Sequence, residues 1–389
     1  MSDAFVPLSV PNFGGNEQRY VNDAVVSEWV SSGGSKVAEF EAAVARYTGM
    51  AEAVACASGT AGLHLAMLVA GIGCGDEVIA PALTFIAAVN PIRYAGAQPV
   101  FIGCDDTLCI DAAAVEAFCR DRCERQGGKL INKTSGRHVK AIEVVHVFGN
   151  LADMDAIMRT AHRYGLIVVE DATEAMGCFF GPGPGQGPHA GTVGDVGVFS
   201  FNGNKIITTG SGGMLVSRHA EWTRHAKHLS TQAKTDEIYY THDEVGYNYR
   251  LTNLAAALGL AQMEQLEGFV ARKQAAYQRY KEQLDGRGGL RLLPFREDIR
   301  ANHWFFSLYL ESAPLGRDEL LQRLQADGIQ TRTIWGLIPQ QAPYAQNEAY
   351  ALEKAQDYHA RVLNIPCSTG ITDAEIDRVC ARILAHVGG

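Results

Sequence analysis

Short apolar runs rich in β-branched residues recur through the first part of the chain, at 53–57, 77–80, 99–102, 141–148, 166–170 and 196–200. Each is too short for a stable helix and carries the Val and Ile content of a buried strand, so six strands are predicted. Between them lie stretches such as 62–70 and 153–162, whose composition favours helix. Strand alternating with helix implies an α/β fold, a mostly parallel sheet sandwiched by helices. Ligands of such sheets bind beyond the carboxyl ends of the strands. Ser58-Gly59-Thr60, Thr84-Phe85, Asp171 and Ser200 all fall at those ends.

After Asn253 the pattern changes. Residues 254–282 read as one or two long helices, followed by a strand at 304–310, a helix at 317–325 and a closing helix at 373–386. A chain of 389 residues exceeds what one hydrophobic core normally organises. A large domain over 1–255 and a smaller C-terminal α+β domain over 256–389 are therefore expected. The polar segment 119–138, with Gly127-Gly128 at its middle, predicts a surface hairpin. The Gly/Pro run 181–188 resembles a phosphate loop in glycine content, but its prolines remove the N–H donors that phosphate binding needs, so it reads as a connection.

Composition narrows the class without naming a reaction. Hydrophobic residues make up 47% and charged residues 20%, as in an ordinary soluble enzyme. Thirty-four Lys and Arg against 43 Asp and Glu give a net charge of −9, which argues against a nucleic-acid surface. Nine scattered cysteines form no CxxC pair or zinc spacing, so free thiols in a reducing cytosol are expected. The N-terminus lacks a basic region followed by an apolar one, and no run approaches the ~20 apolar residues of a membrane span. A cytoplasmic protein without a membrane segment is the resulting expectation.

The chemistry is concentrated around Lys205. An apolar run at 196–200 delivers this lysine into the turn Ser200-Phe-Asn-Gly-Asn-Lys205-Ile-Ile-Thr-Thr-Gly, before a second strand-like run. A lysine desolvated at a strand end has a depressed pKa and becomes a Schiff-base nucleophile. The aldehyde of pyridoxal 5'-phosphate (PLP) is its natural partner. Ser58-Gly59-Thr60-Ala61 follows a strand and opens a helix, a combination suited to a cofactor phosphate. Ser200 is close enough in sequence to join it. Asp171 ends the most hydrophobic strand, where a buried acid needs a partner, either a protonated pyridine nitrogen or a metal. Glu174 is available nearby, but no array of His and carboxylates marks a metal site. Phe85, just past a strand end, would stack on a planar ring or pack in the core. The cluster 246–253, Gly-Tyr-Asn-Tyr-Arg-Leu-Thr-Asn, reads as a loop that contacts an anion or another subunit.

Together these segments resemble the sugar-nucleotide aminotransferases of the DegT/StrS type, which are fold-type I PLP-dependent transferases. The likeness runs from Pro7-Leu-Ser-Val-Pro to Asn364-Ile-Pro366 and is most specific at Ser200 to Gly210. Within the family the chain is most similar to the 4-aminotransferases of the bacillosamine and legionaminic acid pathways. The shared segments are SFNGNK, the insertion around Lys133-Thr-Ser-Gly-Arg137-His138, and Thr331-Arg332-Thr-Ile-Trp335-Gly-Leu-Ile338.

The resemblance implies roles for particular residues. Lys205 would carry PLP covalently and move the proton, and Asp171 would pair with the pyridine nitrogen. Thr60, Ala61 and Ser200 would hold the phosphate, and Phe85 would cover a ring face. Asn248 would reach the cofactor of a neighbouring subunit in a homodimer. Glu174 stands where many relatives have Gln or His beside the phenolic oxygen of PLP. Pro339 departs from the His-containing pattern of that segment, so it receives no role. Arg250 and His303, with Lys133, Arg137 and His138, are candidates for substrate contacts. The implied reaction moves an amino group from L-glutamate to the C4 ketone of a UDP-linked 2-acetamido-2,6-dideoxy-hexose. Alternatives are another nucleotide keto-sugar, such as GDP-4-keto-6-deoxymannose or a 3-keto sugar, a PLP-dependent sugar dehydratase, and a non-catalytic PLP-binding regulator.

Overall fold

The computed structural model describes residues 5–388. Nine strands of the first part are β1 (Val54–Cys56), β2 (Asp76–Pro81), β3 (Gln98–Ile102), β4 (Cys123–Gln126), β5 (Lys129–Asn132), β6 (His138–Val145), β7 (Ile167–Asp171), β8 (Val196–Ser200) and β9 (Gly213–Ser217). The main sheet runs β1-β9-β8-β7-β6-β2-β3, with the short strand Ala349–Tyr350 beyond β3. From β8 to Ala349–Tyr350 every pairing is parallel. Along this path β9 runs antiparallel to both of its neighbours. The expected sheet is thus present with one reversed strand. The hairpin of β4 and β5 also forms, and it joins β6 through the Ile131–His138 pair.

The two-residue period of the strands builds two cores. Val54, Cys56, Val198 and Leu215 face one hydrophobic cluster, and Ala53, Ala55, Phe199 and Met214 face the other. Helices therefore cover both faces. Gly59–Val69 lies against β8 and β9, whereas Ser35–Thr48 packs with Asn253–Met263 on the other side. All nine cysteines are free and eight are buried. Among the described residues, no helix is long and apolar enough to cross a membrane.

The long helical stretch divides into Asn253–Met263 and Leu266–Leu284. The first packs on Glu17–Val26 and Ser35–Thr48, and the second leads to a four-stranded antiparallel sheet. Its order is Leu290–Leu292, Phe306–Leu310, Val362–Ile365, Arg332–Thr333. The closing helix Asp373–Val387 starts at Thr372, which with Glu375 forms a reciprocal capping box. The N-terminal segment is fastened to this second sheet region: Val6 N–H donates to the Gly328 carbonyl at 2.9 Å, and Cys367 N–H donates to the Leu8 carbonyl at 2.7 Å.

Two predicted strands end differently from expectation, and both differences shape the cavity described below. The run 141–148 leaves the sheet after Val145, because Phe148 adopts φ +57° in a short 3-10 turn. The run 304–310 enters its sheet only at Phe306, preceded by His303 at φ +54°. The buried Asn302 side chain replaces the missing ladder there. It donates to the carbonyls of Glu174 and Met176 and accepts from Trp304 N–H, with distances of 2.8 to 2.9 Å.

Candidate active site

A cavity of about 520 Å³ opens at the carboxyl ends of β7 and β8. Thr60, Phe85, Asp171, Glu174, Ser200 and Lys205 all line it. Six of the sequence-predicted residues thus meet in one place, although they come from four separate segments.

Local structure explains how each arrives. After β8 the chain makes a tight excursion whose base is closed by Phe201 N–H to the Gly212 carbonyl and Thr209 N–H to the Phe201 carbonyl, both 2.9 Å. Lys205 sits on this stapled turn. Its Nζ lies 3.9 Å from the centre of the Trp304 ring and 3.7 Å from Glu174 Oε1. Burial lowers the amine pKa, while the charges of Glu174 and Asp171 oppose that shift. A lysine in this setting is closer to its nucleophilic, neutral form than a surface lysine.

Alternation along β7 assigns its two acids to different tasks. Glu170 turns away from the cavity, where His146 Nε2 stands 2.8 Å from it and the N–H groups of Gly191, Val193 and Gly194 donate to it. That network ties the 189–194 loop to the strand. Asp171 turns into the cavity, is 2% exposed and accepts Thr173 N–H at 2.9 Å. Burial raises its pKa, opposed by hydrogen bonds from Thr173 and by the Lys205 charge. Glu174 is buried too, with Oε2 held by Phe148 N–H at 2.8 Å, and burial pushes its pKa up to about 7.

The helix Gly59–Val69 supplies an anion cradle. Ser58 is in extended conformation, and its hydroxyl accepts Ala61 N–H at 3.1 Å. The N–H groups of Gly59 and Thr60 belong to the first turn, so the helix offers them no acceptor. Side chains could not be added here. A Cβ on Gly59 would stand 2.9 Å from Ser200 Cβ, and one on Gly213 would stand 2.5 Å from the Ser58 carbonyl oxygen. These close approaches bring Ser58, Thr60 and Ser200 around one point.

The arrangement fits PLP on its own chemistry. A desolvated amine, a buried carboxylate facing the cavity and a helix N-terminus flanked by hydroxyls match an aldehyde, a pyridinium and a phosphate. Ala61, expected at the phosphate, lies outside the lining with its N–H already donated to the Ser58 hydroxyl, whereas Phe85, 53% exposed at the rim, is free to cover a ring. Among the described residues, no carboxylate–imidazole set of the kind a metal site requires faces Asp171. Half-buried His228 and exposed Asp243 and Glu244 have ligand atoms near one another, but they lie outside the cavity lining.

Other predicted residues are elsewhere. Asn248 is exposed outside the cavity lining, with Arg250 Nε 3.3 Å from its Oδ1. Arg250 lines a separate surface depression with Lys227 and Lys234. His303 is buried against Phe295 and Tyr277, with ring centroids 4.2 and 4.9 Å apart, and burial lowers its pKa to about 4. It is therefore a neutral packing residue, and a substrate contact from within its own cavity is not available to it. Lys133, Arg137 and His138 also lie outside the lining: Lys133 donates to the Asp121 carbonyl, Arg137 pairs with Glu77 and His138 with Asp76.

Sequence reasoning gave no role to Trp304, Phe148, Arg332 and Trp335, which complete the wall. Trp304 donates its indole N–H to the Asn204 carbonyl at 2.7 Å, fixing the ring beside Lys205. Buried Lys273 supports it from behind, donating to the carbonyls of Trp304 and Cys367 at 2.6 Å each. Phe148 and Trp335 pair at 4.6 Å, and Arg332 is exposed at the cavity mouth. For Arg332 and Trp335 the signal in the sequence was the Thr331 to Ile338 segment, which carried the resemblance without assigning a contact, whereas Phe148 and Trp304 stood in runs read as strands.

Known proteins share this organisation. A family profile described as the DegT/DnrJ/EryC1/StrS aminotransferase family matches residues 11–384. A GDP-perosamine synthase of Caulobacter vibrioides is 37% identical over 382 residues, covering 97% of each chain. The putative pyridoxal phosphate-dependent aminotransferase EpsN of Bacillus subtilis is 35% identical over 385 residues, covering 98% of this chain and 95% of its own. Among solved structures, the aminotransferase TlmJ from Streptoalloteichus hindustanus superposes with a TM-score of 0.88 at 27% identity, over 99% of both chains.

Proposed function

Because this chain belongs to the DegT/DnrJ/EryC1/StrS aminotransferase family, we propose that it uses PLP to move an amino group from L-glutamate onto the keto carbon of a nucleotide-linked sugar. The observation that carries this reading is the meeting of Lys205, Asp171 and the Ser58–Thr60 helix start around one cavity. Bound PLP would supply an aldehyde for amino groups and a ring that accepts the electron pair of a broken C–H bond.

The chain's own residues perform the rest. The Gly59 and Thr60 N–H groups, with the Ser200 hydroxyl, would hold the phosphate. Asp171 holds a proton on the ring nitrogen by charge. Lys205 would take the proton from the donor's α-carbon and hold it for return. It repeats the transfer in reverse when the sugar ketone is aminated. A positioned acid–base group of this kind contributes roughly 10²–10⁴-fold. Trp304 and Phe148 exclude water from the amine, which protects its depressed pKa.

For the acceptor, the finer reading is the C4 ketone of a UDP-linked 2-acetamido-2,6-dideoxy-hexose, supported by the SFNGNK and TRTIWGLI segments. A second reading, a GDP-linked 4-keto-6-deoxymannose, is favoured by the relative named GDP-perosamine synthase. The two differ in base and in the substituent at C2. Purified holoenzyme incubated with each keto-sugar and ¹⁵N-glutamate, with products resolved by mass spectrometry, separates them. Labelled amine on the UDP sugar alone supports the first reading, and on the GDP sugar alone the second. No labelled product on any keto-sugar refutes the function.

The active unit in this reading is a homodimer. Asn248 lies outside its own cavity, and the nearby hairpin of Lys234–Asp236 and Thr241–His242 projects Ile238, Tyr239 and Tyr240, each at least 70% exposed. An unpartnered apolar tip of this kind suits burial against a second copy. Light scattering at the molecular mass of a monomer would contradict it.

A further inference from the structure

The cavity contains one carboxyl more than a pyridine nitrogen requires. Asp171 serves that end, yet Glu174 is also buried and has Oε1 3.7 Å from Lys205 Nζ. It cannot readily swing away. Oε2 is held by Phe148 N–H, and the Glu174 backbone carbonyl accepts the Asn302 side-chain amide at 2.8 Å.

We propose that Glu174 is a catalytic proton partner of Lys205, taking the proton of the lysine ammonium when that amine must act as a base and returning it afterwards. The inference rests on the aminotransferase reading and deepens its first half-reaction. In the step, an N–H bond of the Lys205 ammonium breaks and an O–H bond forms on Glu174. The N–H electron pair stays on nitrogen as the lone pair that attacks the donor's α-proton. A positive and a negative charge disappear together, so no oxidant, reductant or further reactant is needed.

The surroundings favour such an exchange. In water, the ordinary values of 10.5 for lysine and 4.5 for glutamate keep the proton firmly on nitrogen. Here burial lowers the first and raises the second to about 7, which brings the two sites together. A neutral amine–acid pair avoids the desolvation of two charges in a closed site. The other titratable groups facing Glu174 are Asp171, whose charge raises its pKa, and the Cys109 thiol, itself pushed up to about 12. Behind Asp171 stand His146, which favours its ionised form, and Glu143, whose buried carboxyl burial drives well above the ordinary range. The Trp304 ring favours the ammonium and opposes the transfer.

Glu174→Gln preserves size and an oxygen for Phe148 N–H but cannot carry the proton. Holoenzyme is mixed with L-glutamate alone, and conversion of the aldehyde form of the cofactor to its amine form is followed by absorbance from about pH 6 to 9, spanning the carboxyl's titration. The variant is expected to convert roughly 10²-fold more slowly at neutral pH and to lose the acid limb near pH 7. Glu174→His, which also carries an exchangeable proton, should recover part of the rate. If Glu174 merely stabilises the ammonium, Glu174→Gln instead lowers the lysine pKa, moves the acid limb to lower pH and leaves the rate equal or higher. That result overturns the proposal. In cofactor-free protein, infrared spectra should show a protonated-carboxyl band that titrates near pH 7 and is missing from Glu174→Gln. A carboxyl ionised throughout this range overturns it as well. A wild-type holoenzyme inert towards every amino donor would refute the aminotransferase reading itself, an outcome distinct from a fast Glu174→Gln variant.

Discussion

Replacing Asp171 by Asn should stabilise the cofactor-free protein and cripple the loaded one. The carboxyl is 2% exposed, and its raised pKa comes from burial. Asn matches its shape and can still accept Thr173 N–H. Without PLP, the folded state holds the Asp171 proton more tightly than the unfolded chain does. Stability therefore falls as pH rises from the unfolded value of about 3.9 towards the folded one, and stays reduced at neutral pH. Each pH unit between the two values costs about 1.4 kcal/mol. Asn removes that penalty, so cofactor-free Asp171→Asn should melt a few degrees above wild type at neutral pH, at about 2–4 °C per kcal/mol for a large chain. With PLP bound, the carboxylate gains a cationic partner, and removing one member of a buried pair costs about 3–5 kcal/mol. That corresponds to roughly 10²–10⁴-fold in cofactor retention or in the rate of the glutamate half-reaction. Paired thermal melts with and without PLP, plus single-turnover absorbance, test both arms. A variant that is less stable than wild type without PLP, or that converts at the wild-type rate, refutes the reasoning.

Lys205→Ala should lower turnover by at least roughly 10²–10⁴-fold while the cofactor still binds through its phosphate; normal turnover in a steady-state assay would remove Lys205 from the chemistry. Gly59→Ala puts a Cβ 2.9 Å from Ser200 Cβ and 3.0 Å from Thr173 Cγ2, neither of which is a flexible end. The overpacking costs about 1–3 kcal/mol, which, falling on the cradle, is expected to weaken PLP binding roughly 5- to 150-fold in a fluorescence titration, and unchanged binding would contradict the phosphate cradle. Glu174 holds its proton up to about pH 7 against an ordinary 4.5, a difference of about 3 kcal/mol. Cofactor-free wild type should lose that stability relative to Glu174→Gln as pH rises from about 4.5 through 7. Denaturant titrations that give a pH-independent difference would disprove it.

The fold, and the residues proposed to hold the cofactor, could be read because each lies within a short contiguous segment. Strands β7 and β8 are short apolar runs whose last residues are Asp171 and Ser200, so period and position together indicated the cavity side. The Ser58 cap and the Lys205 turn are likewise contiguous segments. The substrate side was not legible, because there one residue's facing depends on backbone turns that periodicity does not encode. The positive φ at His303 buries that ring and delivers its neighbour Trp304 to the cavity. A uniform strand through 304–310 would hide this exchange. Phe148 reaches the wall for the same reason, at a turn where an uninterrupted β6 was expected. Glu170 and Asp171 could not be told apart by residue type, and only the loop N–H groups that embrace Glu170 assign it to structure.

The attachment of Leu8 also has a consequence for the order in which the protein matures. Leu8 lines the cavity and is anchored by the N–H of Cys367, near the other end of the chain. Ser58, Asp171 and Lys205 all precede β9, so a growing polypeptide presents these proposed cofactor-holding groups long before Trp304, Arg332 and Cys367 have been synthesised. Domains fold as units during synthesis, N-terminal portions first. In the proposed reading, cofactor capture can thus come early on the ribosome, whereas the far wall of the cavity closes only when translation is almost finished.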